Sequence, residues 1–532
     1  MNCDQKRRFI KDPIWGNIEL LPWEVELLNH FLVNRLHNVV QNSTAYKVYP
    51  GLKYSRFVHS IGVLHVVTQI FSNIVLNSPL EALEALKAEN AEVERGLYDN
   101  YKNEVTKIVC DRISFSGKFP VLLSALRLGA ILHDIGHLPY SHAFEHAIEA
   151  FLDGNYQCCI PPTNEAEAIR KRLKDLLPDQ RAQEVKVHER LGKGLFELLQ
   201  DEFKGSQLVR PLVEGAVELL YGEKCPISKS ILVGTVDSDR IDFVRRDGLF
   251  SGLFVSSVDY GRLFAMYELA KQPNGKWHAR PSCRGTSEAE KLIWERFQDY
   301  CYIISHHRVH LFDEILERLL LRLMAEGELM DFLGNLEQLL RFSPPTRIAD
   351  KKDNVKLLES LHLSFDDSWL DVQLRNAYTK AKKNNAEIHK VRLFEAYAED
   401  RDYFKSVFKR DSEFWERCKE VAPFLSISEA PTFAIKVRQK KYVLEHQIYE
   451  KFNVLAIVGD MAKKITHGIA DDDTAQFFGL EELKDFLSGK IRKTKLFNLW
   501  YVPPRDDGKT EIYDLENKML SYILEQISDQ QT

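Results

Sequence analysis

The chain has 532 residues, 44% hydrophobic and 28% charged, with a formal net charge of −6; that length suits about two to four domains, and the acidic balance excludes a dedicated nucleic-acid coat while leaving local basic grooves open. Its eight cysteines are scattered without C-x-x-C spacing, which excludes a zinc ribbon or a disulfide framework and points to a reducing cytoplasm. The start, MNCDQKRRFIKDPIWG, carries no apolar core of a secretory signal, and with no run of about 18 apolar residues no membrane span is expected.

Residues 9 to 23, FIKDPIWGNIELLPW, read as strand-turn-strand, with Asp12-Pro13 and Gly16 supplying the turn. From Glu24 to Gln41 apolar residues recur at three and four, which predicts one helix. After a looser segment with a Pro50-Gly51 turn, RFVHSIGVLHVVTQIFSNIVL predicts a long apolar helix, with His59 near its first turn and Arg56 three residues earlier. Residues 80 to 118 are rich in Glu, Lys and Asn and predict a solvated helical excursion. LLSALRLGAIL, Leu122 to Leu132, predicts a buried helix leading into LHDIGHLPYSHAFEH. Pro139 should break that helix and Ser141 should cap the next, HAFEHAIEAFL.

A second polar excursion is expected over 153 to 183, and VKVHERLGKGLFELL puts His188-Glu189 at a helix start. In SILVGTVDSDRIDFVRRDGLFSG, Asp237, Asp239, Asp242 and Asp247 alternate with arginines, while Ile241, Phe243 and Val244 call for one buried face. Residues 287 to 326 predict a long helical region whose stripe Leu316, Leu319, Leu320, Leu323 reads as core or as an oligomer seam. Further on, TFAIKVRQKKYVLEHQIY alternates like a strand, and FNLWYVPPRDDGKTEIYDL reads as strands around a Pro-Pro and an Asp-Asp-Gly turn. The expected fold class is mostly α: a helical bundle core over 1–340 with insertions near 80–118 and 153–183, then a mixed α/β regulatory or oligomerisation region over 341–532.

The stretch Leu132 to His146 concentrates four histidines, an aspartate and a glutamate in fifteen residues. A His133-Asp134 pair at the end of a buried helix is costly without a partner, and a metal would relieve both groups. His59, His133, Asp134 and an aspartate of the 237–242 cluster come from three apolar helices, as ligands converging in a bundle core do. Imidazoles and carboxylates without a thiolate suit Fe, Mn, Zn, Co or Mg. His137, His142 and His188 could then position water or move protons, with Glu145, three residues after His142, holding its imidazole. Arg56 and Arg240 are candidate phosphate clamps.

The stretches KDPIWGNIEL, VYPGLKYSRFVHSIGV, LRLGAILHDIGHLPYSHAFEH, VHERLG and DSDRIDFVRRD, in this order over roughly residues 9–265, resemble the HD-domain deoxynucleoside triphosphate triphosphohydrolases. That group contains bacterial dGTPases and the vertebrate antiviral dNTPase with an added SAM domain. The resemblance implies an HD-domain bundle with an H…HD…D metal set at His59, His133, Asp134 and Asp239, with Asp237 as the rival for the last place. It implies catalytic roles for His137, His142, Glu145 and His188, sugar contacts from Gln41 and Asp247, phosphate contacts from Arg56 and Arg240, a substrate-side place for His306, and an effector contact from Arg262. The implied reaction is water attack at the α-phosphate of a dNTP, releasing a deoxynucleoside and tripolyphosphate, with His142 protonating the 5′ oxygen.

Three departures bear on substrate range and activation. The family's Gln-Arg-Leu-Arg run reads Asn34-Arg35-Leu36-His37, the histidine of D-P-I-H-G is Trp15, and a tyrosine that packs beneath the sugar is replaced by Ile304. The implied partners are dNTPs, an effector nucleotide, further copies of the chain in a dimer or tetramer and weakly bound single-stranded nucleic acid, with a divalent cofactor of Mn, Fe, Zn or Mg and no membrane. The implied role is dNTP-pool control or antiphage defence. Two other readings stay open: an HD phosphodiesterase on another nucleotide or nucleic-acid end, although no G-Y-P element follows the HD pair, and a nucleotide-sensing scaffold without activity.

Overall fold

The computed structural model describes residues 6–113, 115, 117–157, 160–177, 186–253, 255–272, 274–341, 366–383, 388–398, 403–422, 430–460, 497–503 and 509–528. It begins with an antiparallel hairpin, β1 (Arg8–Asp12) and β2 (Gly16–Leu20), in register from Arg8 with Leu20 to Asp12 with Gly16. Asp12 Oδ1 accepts the backbone N–H groups of Ile14 and Trp15, and Gly16 takes φ +80°, so the turn chemistry is as the sequence predicts. The single helix expected over 24–41 is instead broken into Pro22–Leu28, Phe31–Asn34 and a 3-10 turn Arg35–Asn38. The His30 side chain caps the second piece, and Arg35 turns inward, donating to the carbonyls of Ile135 and His137.

The His59 helix (Arg56–Asn77) lies at the centre of the bundle, against the HD helix (Pro120–Leu132) and the aspartate helix (Ser238–Ser251). It is also, among the described residues, the one helix long and apolar enough to cross a bilayer, which no apolar run was expected to be; 67% of its most apolar window is buried inside the fold. Gly62 lets the aspartate helix approach: a Cβ there would collide with Asp242 and Arg246. Residues 80–118 form two helices, Leu80–Val93 and Asp99–Arg112, and are less solvated than expected. Ala82, Leu83, Leu86, Val93, Val105 and Val109 join the principal core, and the Glu89 carboxylate accepts from the Ile227 and Ser228 amides at 2.8 Å each.

The helical region over 287–326 is interrupted by a π turn, Tyr300–Ile304, between Thr286–Asp299 and His307–Ala325. Leu316, Leu319, Leu320 and Leu323 are buried core. Helices Asp367–Lys383 and Ile388–Ala398 pack into the same core through Leu370, Leu374, Leu393 and Phe394. A second core gathers Phe414, Val437, Ile448, Leu499, Leu520 and Ile523 around a three-stranded sheet of order β3 (Lys405–Ser406), β5 (Phe497–Tyr501), β4 (Ala456–Asp460). The molecule is thus mostly helical, with a mixed α/β C-terminal part.

Two strand expectations are overturned. TFAIKVRQKKYVLEHQIY lies within one helix, Ala430–Phe452. Its alternation holds only locally; over the whole segment Phe433, Val437, Lys441, Leu444 and Ile448 are buried at helical spacing. Among the described residues of FNLWYVPPRDDGKTEIYDL, only Phe497–Tyr501 is a strand and Lys509 onward belongs to the helix Lys509–Ser528; the Asp-Asp-Gly turn lies outside the described residues. Buried charges join the C-terminal part to the bundle: Lys441 Nζ lies 3.0 Å from Glu314 and 2.7 Å from Glu317, and Arg318 donates to Glu445 and to the Val458 carbonyl.

Candidate metal and phosphate site

The HD helix ends at Leu132, and the chain then turns through His133 to Ser141 before the helix His142–Asp153. Gly136 is required there, since a Cβ would strike the His188 carbonyl at the start of the helix Val187–Glu202. Tyr140 and Ser141 hold φ of 52° and 50°, in the left-handed region that costs non-glycine residues energy and persists only when neighbours fix it. Ser141 does not cap the next helix, contrary to expectation; its hydroxyl donates to the Val40 carbonyl at 2.7 Å and accepts from Arg56 Nε at 2.8 Å.

Two clusters of nitrogen and oxygen ligands flank this turn. In the first, donor atoms of His59, His133 and Asp239 lie within 4.8 Å of one another. His59 Nε2 is 2.9 Å from Asp239 Oδ1 and 3.9 Å from Asp134 Oδ2; His133 Nε2 is 3.7 Å from Asp239 Oδ1 and 3.5 Å from Asp134 Oδ1. The His133 ring is turned by Nδ1–H donation to the Ala130 carbonyl at 2.8 Å, which leaves Nε2 buried without a hydrogen-bond partner. An orphaned imidazole nitrogen facing two carboxylates and a second imidazole fits a divalent cation.

Outer contacts orient His59. Its Nδ1–H donates to Asp242 Oδ2 at 2.8 Å, and Asp242 also accepts from Arg246 and, at 2.6 Å, from Trp15 Nε1. Trp15 is clamped by His65 stacked at 5.3 Å and by the Arg245 guanidinium 4.3 Å from its ring centre. Burial disfavours charge on His59, yet Asp239 and Asp242 on its two nitrogens raise its pKa to about 10. Asp237, the rival ligand, is spent elsewhere: it caps the aspartate helix, accepting from the Arg240 and Gly234 amides.

The second cluster is His137, His142 and His188, again with ring nitrogens within 4.8 Å. Glu145, buried, accepts from His142 Nδ1 at 3.0 Å and from His188 Nδ1 at 2.8 Å, so both Nε2 atoms face away from it. The His137 and His188 rings stack at 4.0 Å and 19°. Stacked rings hold their lone pairs in nearly parallel planes and do not converge well on one ion; spread imidazole edges suit the several oxygens of a phosphate chain. Asp134 joins the clusters, with Oδ1 3.3 Å from His137 Nε2 and Oδ2 accepting from Arg56 at 2.6 Å.

The remaining predicted residues are placed as follows. Gln41 stands beside Arg56, which donates to its carbonyl, and its side-chain Oε1 is buried without a partner. Asp247 is buried and accepts from Tyr54 OH at 2.6 Å and from Asn42 at 2.5 Å, and burial pushes its carboxyl up to about 6. Arg240 is partly exposed, 3.8 Å from Asp237. His306 caps the helix His307–Ala325 and meets Tyr49 edge-on at 5.7 Å. Arg262 is exposed and donates to the Arg284 carbonyl. Sequence reasoning missed Asn42 and Tyr54 as partners of Asp247, and it missed Asp299, a buried carboxylate whose Oδ1 has no partner and whose pKa is raised by burial and by the charge of Asp247. Only an aspartate within an aromatic run, Phe297 to Tyr302, hinted at it.

No protein-family model matches the chain. An uncharacterized protein of Methanocaldococcus jannaschii is 23% identical over 336 residues, 62% of this chain and 53% of that protein. The uncharacterized protein YwfO of Bacillus subtilis is 22% identical over 377 residues, 69% of this chain and 67% of its own. The deoxynucleoside triphosphate triphosphohydrolase SAMHD1 homolog of Dictyostelium discoideum is 27% identical over 252 residues, 46% of this chain and 37% of that protein. A solved phosphohydrolase of Bacteroides thetaiotaomicron has a TM-score of 0.52 at 18% identity, covering 94% of this chain and 100% of that one, which shows a shared fold. The chain spans about half the length of several of the curated relatives it matches. The His and Asp cluster suits a divalent metal.

Proposed function

We propose that the protein is a metal-dependent dNTP triphosphohydrolase. The observation that carries this reading is the side-by-side arrangement of a cation-fitting cluster and an imidazole cluster, joined through Asp134. A divalent cation held by His59, His133, Asp134 and Asp239 would supply Lewis-acid polarisation and neutralise phosphate charge. His137 and His188 offer ring edges to the phosphate oxygens. Glu145 holds His142 by Nδ1, leaving Nε2 to carry a proton to the departing oxygen. Burial holds the His142 imidazole down at about 4, so the phosphate charge beside it has to favour the imidazolium; water adds to the α-phosphorus and gives its proton to solvent, the bond to the 5′ oxygen breaks, and the His142 imidazolium protonates that oxygen, giving a deoxynucleoside and tripolyphosphate. The orphaned Gln41 Oε1, with Asp247 as a second acceptor, would receive the sugar hydroxyl.

The likeness to a named dNTP triphosphohydrolase supports the nucleotide substrate. The same resemblance extends the proposal to nucleotide activation, an oligomer and a role in dNTP-pool control or antiphage defence; weak single-stranded nucleic-acid binding is part of it. The inward turn of Arg35 and the stacking of His37 on Phe57 give two positions of the family's activation run structural tasks, so activation here depends on other side chains, Arg262 among the candidates. The test is to offer each dNTP singly and in mixtures to protein loaded with Mn²⁺ and look for tripolyphosphate. No release under any combination, with the metal retained, removes the reading.

A further inference from the structure

The helix Asp367–Lys383 lies outside the residues that carry the HD motifs, yet its first turn grips the site from behind. Asp366 caps this helix, accepting from the Trp369 amide at 2.8 Å. The next carboxylate is therefore not needed for the helix. Asp367 is buried, and its two oxygens are spent on two distant backbone amides: Oδ2 accepts from Val40 at 3.0 Å and Oδ1 from Tyr140 at 2.7 Å. Val40 precedes Gln41, and Tyr140 precedes Ser141 and His142, so one carboxylate spans the sugar-side and proton-donor segments.

Neighbouring contacts close the same joint. Tyr140 OH donates to Asp371 at 2.7 Å, Asn38 donates to Asp366 at 3.3 Å, and the Ser141 hydroxyl reaches the Val40 carbonyl. Tyr140 and Ser141 are the residues held at positive φ, a conformation that survives only where several contacts fix it. We propose that Asp367 is a positioning residue, setting the distance between Gln41 and His142 so that the C-terminal region completes the site. The proposal rests on the dNTPase reading for its kinetic consequence and on geometry alone for the coupling of the two segments.

The experiment compares whole, metal-loaded wild type with Asp367→Asn, which turns one amide acceptor into a donor. Hydrogen–deuterium exchange should speed up together in peptides covering 38–43 and 139–144, with metal content unchanged. Turnover of any dNTP the wild type hydrolyses should fall about tenfold or more in kcat. Unchanged protection in either peptide, or protection lost with kcat close to wild type, overturns the proposal. If Asp367→Asn does not fold, Asp371→Asn loosens the same joint through Tyr140 and must speed exchange in the 139–144 peptide relative to wild type; no shift overturns the proposal. A wild type that hydrolyses no dNTP sinks only the substrate reading, because the exchange comparison still decides the coupling.

Discussion

Asp242 receives hydrogen bonds from three side chains, Trp15, His59 and Arg246, and through His59 Nδ1 it sets which ring nitrogen faces the cation cluster. Outer partners of this kind typically change metal affinity by about 10–100-fold when removed. Asp242→Asn should weaken cation binding by about that factor in a chelator competition, while Trp15→Phe, which keeps the ring but loses its N–H, should weaken it less; equal affinities in all three proteins would remove the orienting role. Proton competition follows from the same geometry. With the His59 pKa raised to about 10, the free site carries a proton at neutral pH that a cation must displace. Cation uptake should release protons, and affinity should fall as pH falls; calorimetry in buffers of different ionisation enthalpy measures the release, and a pH-independent affinity contradicts it.

At the scale of elements, the polar joint between bundle and C-terminal part is the point of greatest exposure to mutation. Lys441 and Arg318 together compensate the carboxylates of Glu314 and Glu317, all four buried. Lys441→Met leaves uncompensated charge and should cost about 3–5 kcal/mol, read as a lower denaturation midpoint in urea; an unchanged midpoint would show that the network is energetically neutral. Elements carrying a long uniform period were legible in the sequence. The His59 helix and the HD helix keep apolar residues through several turns, and the hairpin announces itself through Asp12-Pro13 and Gly16. The helix Ala430–Phe452 was misread because six residues from Phe433 to Arg438 alternate, whereas its helical period emerges only over four turns and includes a buried lysine. The break at Asn29 is marked only by the His30 cap of the next helical piece, a residue seldom read as a cap, and the π turn at Tyr300 contains no Gly or Pro to announce it.

For the molecule as a whole, the residues proposed to hold a cation are visible in the sequence because each sits in a short polar motif on an apolar helix: His59, His133-Asp134 and Asp239. What supports them was not. Trp15 is 227 positions from Asp242, and Asp367 is 227 from Tyr140 and 327 from Val40; these pairings arise from packing of remote helices and carry no spacing rule. The assembled picture is a helical bundle that brings a cation cluster and an imidazole cluster to one turn, buttressed by a C-terminal helix. The proposed reaction is hydrolysis at the α-phosphorus with cleavage of the bond to the 5′ oxygen. The most direct measurement is turnover of a dNTP by the Mn²⁺-loaded protein in ¹⁸O-water, followed by mass spectrometry of both products. One ¹⁸O should enter tripolyphosphate and none the deoxynucleoside; a deoxynucleoside monophosphate with pyrophosphate, or label on the nucleoside, would rule this reaction out.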